Sequence, residues 1–308
     1  MIFKYKTLSQ HPTVFRAVTG LTLDEFDEYV EPLSHQLAAQ ERHRLEREGR
    51  QRAVGGGRTQ ELDWEDPFLL SLVWLRLYPT CEVLGYFFGC SDTSAYRVVQ
   101  RCLPWLEATG RSEIQRSQAH AQRKRGYRLE AILAQVPGLA VIVDTFEQPI
   151  ERPSTRQEAD SFYSGKKKSH TLKSQISVDA YTGEVLDVAD SQSGRKQDKG
   201  IFTHSGTSDR LPSNTAFLAD LGYPGLIKDL PLAAIPRRKP RSQPRPEADV
   251  VFNTHFAQLR VEVEHTIAMV RRYLALTLRD RHHRRFHTER VVAVAGLVNF
   301  RKRSRFVF

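Results

Sequence analysis

Three carboxylates and a lysine-rich segment are the residues whose types and spacing could do chemistry. Asp144 closes the apolar run Ala140-Val141-Ile142-Val143, and Asp220 closes a second run, Ala216-Phe217-Leu218-Ala219. An apolar run ending in an acid reads as a buried strand that delivers its carboxylate to an exposed tip. Glu264 lies at the edge of a helical stripe formed by Phe256, Leu259, Val263, Ile267 and Val270, one turn after Arg260. Between the first two acids, Tyr163 to Gln175 carries Lys166, Lys167, Lys168, His170 and Lys173, and no acid. Carboxylate oxygens suit Mg²⁺, which keeps open water positions, and lysines suit a polyanion. Two such ions can activate an attacking oxygen and stabilise a leaving one in an in-line phosphoryl displacement. Taken singly, each acid is better explained by a salt bridge or a helix cap, and sequence spacing does not show that the three meet.

The elements that must position these residues follow from periodicity. Strands are expected over Ala140 to Asp144, Thr145 to Ile150, Thr171 to Val178, Val185 to Ala189 and Ala216 to Asp220. Pro149 and Pro153 break regular structure after the first acid, and Tyr181-Thr182-Gly183-Glu184 makes a turn. Asp198 to Thr203 reads as a short helix. The lysine segment reads as an extended hairpin, with Lys166 and Lys168 on one face and Lys167 on the other. Residues 236–246 hold four prolines and five Lys/Arg and form a basic loop without a core. A long helix is expected from Thr254 to about Leu274. A strand meander with acids at two tips, then a helix bearing a third, is a ribonuclease H-like arrangement of the α/β (α+β) class.

Before this region the pattern is helical. Thr22 and Glu25 have the spacing of a capping box, opening a helix to His35, with a charged helical stretch from Gln36 to Arg52. Val54-Gly55-Gly56-Gly57-Arg58 is a linker, since no strand precedes it and no Gly-Lys-Ser/Thr follows. Pro67 starts a helix with an apolar face of Phe68, Leu69, Leu72, Val73 and Leu75. Thr80 caps a second helix to Phe88, Gly89 turns, and Ser91 caps a third. In that third helix Ala95, Val98, Val99, Cys102, Leu103 and Leu106 point inward, leaving Asp92, Thr93, Ser94, Arg97, Gln100 and Arg101 outward. This is a helix-turn-helix pattern whose last helix could reach base edges. A plain three-helix packing module has the same pattern. A basic linker follows, with Arg111, Arg116, Arg123, Lys124, Arg125 and Arg128, which could track a phosphate path or form a solvated helix face.

At 308 residues the chain has room for two domains. Its net charge of +10 favours a polyanionic partner. The excess is uneven, with 11 Lys/Arg against 2 Asp/Glu in residues 271–308, and 9 against 12 in residues 1–66. Cys81, Cys90 and Cys102 match no zinc spacing and read as small apolar residues in a reducing cytoplasm. No run long enough to span a membrane is present, and no signal-peptide core is expected at the N-terminus.

The blocks described above resemble a DDE transposase of bacterial insertion sequences, of the insertion-sequence-five type in the branch related to Harbinger elements. Val143-Asp144-Thr145 with Pro149 to Pro153 resembles the family's first acid block. Ser164 to Lys173 resembles its most distinctive signature, Ala219 to Gly225 its second acid block, and Arg260 to His265 its third. Phe68 to Leu106 resembles its helix-turn-helix. The resemblance implies an N-terminal helical region (1–66), a helix-turn-helix domain (67–110), a basic linker (111–136) and a ribonuclease H-like catalytic domain (137–308). It implies Asp144, Asp220 and Glu264 as catalytic metal ligands for Mg²⁺ or Mn²⁺, two ions per site. Glu262 is a rival for the third place, but the Val-Glu-His frame favours Glu264. One departure is Gly194-Arg195-Lys196-Gln197-Asp198, where Gln197 stands in the family's usual His place.

The expected function is a DNA transposase that cuts at element ends and transfers the strand into target DNA. Lys166, Lys167, Lys168, His170 and Lys173 are expected at phosphates, and Arg97, Gln100 and Arg101 at the terminal inverted repeats. A homo-oligomer on DNA, in the bacterial cytoplasm at the nucleoid, is implied. A metal-dependent nuclease without strand transfer would use the same acids. A non-catalytic transposase-derived DNA-binding protein would be signalled by a missing acid, and none is missing.

Overall fold

The computed structural model describes residues 3–45, 65–123 and 140–304. They form two units. The first takes the described residues up to Ala108 with Tyr273–Ala275 and Ser304, and the second takes Thr109–Arg272 and Leu276–Arg303.

The first unit is helical: α1 (Tyr5–Leu8), α2 (Pro12–Thr19), α3 (Leu23–Leu45), α4 (Asp66–Leu77), α5 (Cys81–Phe88) and the start of α6 (Asp92–Arg123). The capping box forms in both directions. Thr22 N–H donates to Glu25 Oε2 at 2.8 Å, and Glu25 N–H donates to Thr22 Oγ1 at 3.2 Å. The helix it opens continues unbroken through Pro32 to Leu45, where the sequence pattern suggests two pieces. Helix α4 is buried from Asp66 to Leu75, because it is apolar nearly all round and serves as the core of this unit. Thr80 and Ser91 cap α5 and α6. Gly89 ends α5 at φ 66°. A Cβ on Gly85 would stand 2.6 Å from the Cys90 carbonyl oxygen, so only glycine lets the turn fold back on α5. The Val54–Arg58 linker lies outside the described residues.

The second unit is built on a sheet of β1 (Ala140–Pro149), β2 (Tyr163–Ser164), β3 (Ser169–Asp179), β4 (Val185–Val188), β5 (Gln192–Ser193), β6 (Ala216–Ala219) and β7 (Ala233–Ala234). β1 is central, antiparallel to β3 and parallel to β6, with β7 beyond β6 and β4 and β5 on the far side of β3. This is the mixed sheet of a ribonuclease H-like α/β domain. Helices α7 (Arg156–Phe162), α8 (Asp198–Ser205), α9 (Glu247–Arg271) and α10 (His287–Ser304) belong to this unit, with the part of α6 after Ala108 and two four-residue helices, Thr207–Arg210 and Leu226–Asp229.

Three expectations change. The two strands separated at Asp144 are one, because β3 pairs with β1 from Val141 to Pro149 without a break. The long helix begins at Glu247, directly after Pro246, and ends at Arg271. Its first turns carry exposed Val250 and Val251 rather than a buried stripe, so periodicity starts the helix too late. Leu274 lies in a separate 3-10 turn. The basic linker is helical as far as Arg123, and its remainder lies outside the described residues. Ile114, Ser117 and Ala121 are buried there. Gly110 and Gly296 bring α6 and α10 so close that a Cβ on Gly296 would collide with the Gly110 Cα, Ser117 accepts from Asn299 of α10, and Ala121 packs into the apolar cluster of the sheet with Val141 and Val143.

The basic C-terminal stretch is not all surface. Arg290 is 1% exposed and ion-paired with Asp280, and Arg303 pairs with Glu113. Lys302 donates to the Gly183 carbonyl at 2.5 Å and to Thr266 Oγ1 at 3.0 Å. Burial lowers its pKa to about 8. Much of this charge therefore holds α10 in place. Among the described residues no helix is long and apolar enough to cross a membrane.

Candidate active site

The sheet register sets the site. Val143 on β1 pairs with Ala219 on β6 in parallel. The next residues are Asp144 and Asp220, so the two acids leave neighbouring strands side by side, with backbones about 4.8 Å apart. Asp144 is not at the tip of its strand. It stands where β6 ends and β1 runs on alone with β3, which opens space beside it. Asp144 Oδ1 accepts from Thr145 N–H at 2.8 Å, and Asp220 Oδ1 accepts from Gly222 N–H at 2.7 Å. A Cβ on Gly222 would meet Asp220 Oδ1 at 2.8 Å and Asp198 Oδ2 at 3.0 Å. A side chain at 222 would therefore press on both carboxylates, and Asp198, the first residue of α8, joins the two acids.

Glu264 reaches the same cleft from α9, with its side chain 62% exposed. Arg260, one turn earlier, sits between the elements: its Nη2 is 3.5 Å from Asp144 Oδ2 and 3.9 Å from Glu264 Oε1. Glu262 points elsewhere, its Oε2 being 2.9 Å from a Cβ placed on Gly183. Burial raises the Asp144 pKa. The Thr145 N–H and Arg260 oppose this, and the negative charges of Asp220 and Asp198 add to it. Beneath them Tyr223 is fully buried, its hydroxyl donating to Gln175 Oε1 at 3.3 Å, and its pKa is pushed well up by burial and by the same three acids.

Among the described residues no three Asp, Glu, His or Cys side chains converge closely enough to hold a metal ion. The donors at hand are nevertheless those a hard divalent cation takes: carboxylate oxygens, two of them on adjacent strands. The Arg260 guanidinium lies against Asp144 and Glu264.

The cleft has a volume of about 770 Å³. Lys166, Lys167, Arg195 and Lys196 line it on one side and Arg271 on another. The lysine segment does not alternate as an extended hairpin. Gly165 to Lys168 is the turn itself, with Lys168 at φ 52°, so the face-by-face assignment of Lys166 and Lys168 does not apply. Lys167 N–H donates to Ser164 Oγ at 3.2 Å, and all three turn lysines are exposed. His170 packs edge-on against Tyr163. Lys173 differs from the others. It is 8% exposed, and its Nζ donates to Asp198 Oδ1 at 2.9 Å and the Lys196 carbonyl at 2.8 Å, with Glu147 Oε1 at 3.9 Å. In the helix-turn-helix, Arg97 and Arg101 are exposed and Gln100 half-buried on the outer face of α6.

Asp198, Arg260 and Tyr223 carry no role that sequence reasoning assigns. Asp198 closes the Gly194-Arg195-Lys196-Gln197-Asp198 block, so the signal is present, but its fourth residue draws the attention. Arg260 precedes Glu264 by one turn, a spacing that flags an ion pair but not its bridge to Asp144.

Residues 143–299 match the family described as DDE superfamily endonuclease, and residues 60–112 match the helix-turn-helix of DDE superfamily endonuclease. The chain is 28% identical, over 79% of its length and 83% of the relative's, to the probable transposase for insertion sequence element IS702 of Microchaete diplosiphon. It is 29% identical, over 75% and 78%, to a candidate transposase for insertion sequence element IS112 of Streptomyces albus G. No solved structure matches the chain significantly.

Proposed function

The chain belongs to the DDE superfamily endonucleases, and on that premise we propose that it cuts DNA at the ends of an insertion-sequence element and joins the freed 3′-hydroxyl to target DNA. The observation that carries this reading is the parallel register that sets Asp144 beside Asp220, with Asp144 and Glu264 lining a cleft walled by lysine and arginine. Asp144, Asp220 and Glu264 would hold Mg²⁺ or Mn²⁺, two ions in all. Such ions supply charge stabilisation at the attacking and leaving oxygens of an in-line phosphoryl transfer.

The protein's own groups do the rest. Arg260 orients Asp144 and ties it to Glu264 on α9. Lys173 holds Asp198 against the cleft floor, so that acid keeps its place without a ligand. Lys166, Lys167 and Lys196 draw in the phosphate backbone as flexible point charges. Lys168 closes the same turn, and His170 follows it on β3. Arg97, Gln100 and Arg101 read the terminal repeats from the outer face of α6. Two copies acting on the two element ends would form a homo-oligomer on DNA, in the cytoplasm at the nucleoid.

The test is a cleavage and joining assay on a duplex carrying the element end. Asp144→Asn and Glu264→Gln should each lower cleavage at least ~100-fold while DNA binding persists. Cutting near the wild-type rate by either variant removes that acid from the assignment. Wild-type cutting with no joined product would leave a nuclease without strand transfer.

A further inference from the structure

We infer that residues 237–245 form a pre-shaped cationic arm that grips the DNA backbone about five nucleotides from the cleavage point. This rests on the reading above and adds a contact surface to it. From Ala233 to Pro246 the chain holds no acid. Arg238, Lys239, Arg241 and Arg245 are exposed, and none of them makes an ion pair among the described residues. Unopposed cations crowded into one short loop repel each other, so the loop gains by meeting a polyanion.

The arm is anchored rather than loose. Arg237 N–H donates to Asn253 Oδ1 at 2.8 Å, and Asn253 Nδ2 donates back to the Arg237 carbonyl at 3.0 Å. The Arg237 guanidinium pairs with Asp249 at 2.8 Å and stacks 4.4 Å from the Phe252 ring centroid. One arginine is thus consumed in fastening the loop to α9, and four cations remain outward. Pro236, Pro240, Pro244 and Pro246 fix φ along it and favour extended backbone, which holds the charges apart before any ligand arrives. Less ordering entropy is then lost on binding.

Its position follows from helix geometry. Asn253, Arg260 and Glu264 lie within about 40° of one another around α9, at about 100° per residue, with Asn253 about 20° from Glu264. The anchor is therefore on the face that carries Glu264, about 16 Å before it at about 1.5 Å per residue. At about 3.4 Å per nucleotide, a strand that runs along α9 with its reacting phosphate at the acids meets the arm about five nucleotides away. Charge without base-reading geometry makes the interaction independent of sequence.

The test replaces Arg238, Lys239, Arg241 and Arg245 together with alanine in the full chain. Affinity is measured across a salt series for an element-end duplex and an unrelated duplex of equal length. The expected result is equal weakening on both, with the log–log salt slope reduced by about 0.9 for every phosphate no longer neutralised, so about 2–4 in all. Backbone protection about five nucleotides from the cut should disappear at the same time. Changing the three arginines to lysine should keep the slope. Asn253→Ala, which retains every charge, should weaken binding several-fold by releasing the arm. If the alanine variant keeps the wild-type slope and footprint while the wild type binds duplex steeply with salt, the arm is refuted and the transposase reading stands. A wild-type chain that binds no duplex refutes both.

Discussion

Replacing Lys173 with methionine should cost about 2–3 kcal/mol in the sheet-bearing unit and leave the salt dependence of DNA binding unchanged. The residue lies in the cationic segment that sequence reasoning assigns to phosphate, yet its ammonium is turned inward. Its side chain is 10% exposed, that of Glu147 is 7% and that of Asp198 is 20%. Removing one partner from a fully buried ion pair costs about 3–5 kcal/mol, because the charge left behind has neither water nor a counter-ion. Asp198 has partial access to solvent and can rehydrate, which brings the expectation below that range, to about 2–3 kcal/mol. At about 2–4 °C per kcal/mol for a unit of this size, the melting midpoint should fall by roughly 5–10 °C. Calorimetry of the full chain reads the midpoint, and a salt series on duplex DNA reads the slope. A variant that melts like the wild type but whose slope drops by about 0.9 would make Lys173 a phosphate ligand and refute the inward assignment.

Two further outcomes can be checked. His287 is fully buried, with Nε2 2.7 Å from Gln148 Oε1 and Nδ1 2.7 Å from Ser191 Oγ, and burial lowers its pKa from 6.5 to about 3. Between those values the unfolded chain binds a proton that the native one does not, so stability should fall as pH drops from 6.5 towards 3. His287→Gln should flatten that limb in denaturant titrations at several pH values, and an equally steep limb would show that other groups carry it. On the outer face of α6, Arg97→Ala should reduce the preference for terminal-repeat over random duplex, by about 1–3 kcal/mol if it reads a base. Equal weakening on both duplexes in a competition assay would make it a phosphate ligand instead.

Local chemistry was legible in the sequence wherever its consequence is local. Thr22 and Glu25 cap each other because the partners are three residues apart, and Thr80 and Ser91 do the same for α5 and α6. The inward positions of α6 follow helical periodicity, and the apolar runs before Asp144 and Asp220 follow burial on both faces of a sheet. The resemblance blocks pointed to the same acids, again through contiguous residues. Periodicity failed where burial was supplied by a distant element. The stretch after Gly110 reads as a basic linker or a solvated helix face, yet Ile114, Ser117 and Ala121 are buried, because the helix packs on α10 at Gly296 and on the apolar cluster of the sheet. The start of α9 went unseen because its first turns hold no apolar stripe.

What the sequence determined by itself is therefore the kinds of group available: acids after buried runs, a cationic turn, a polar-faced third helix. What only the tertiary structure decided is which charge meets which. Parallel registry of β6 on β1 sets Asp220 beside Asp144, and the pairing of β3 carries β1 past that point. Lys173 is separated from Asp198 by the whole of β4 and β5, and no local signal links them. Arg260 meets Asp144 only because α9 packs across the sheet. Charge type is a property of a residue, but the energy of a charge depends on its distance to a partner and on the water removed around both, and those are set by the fold.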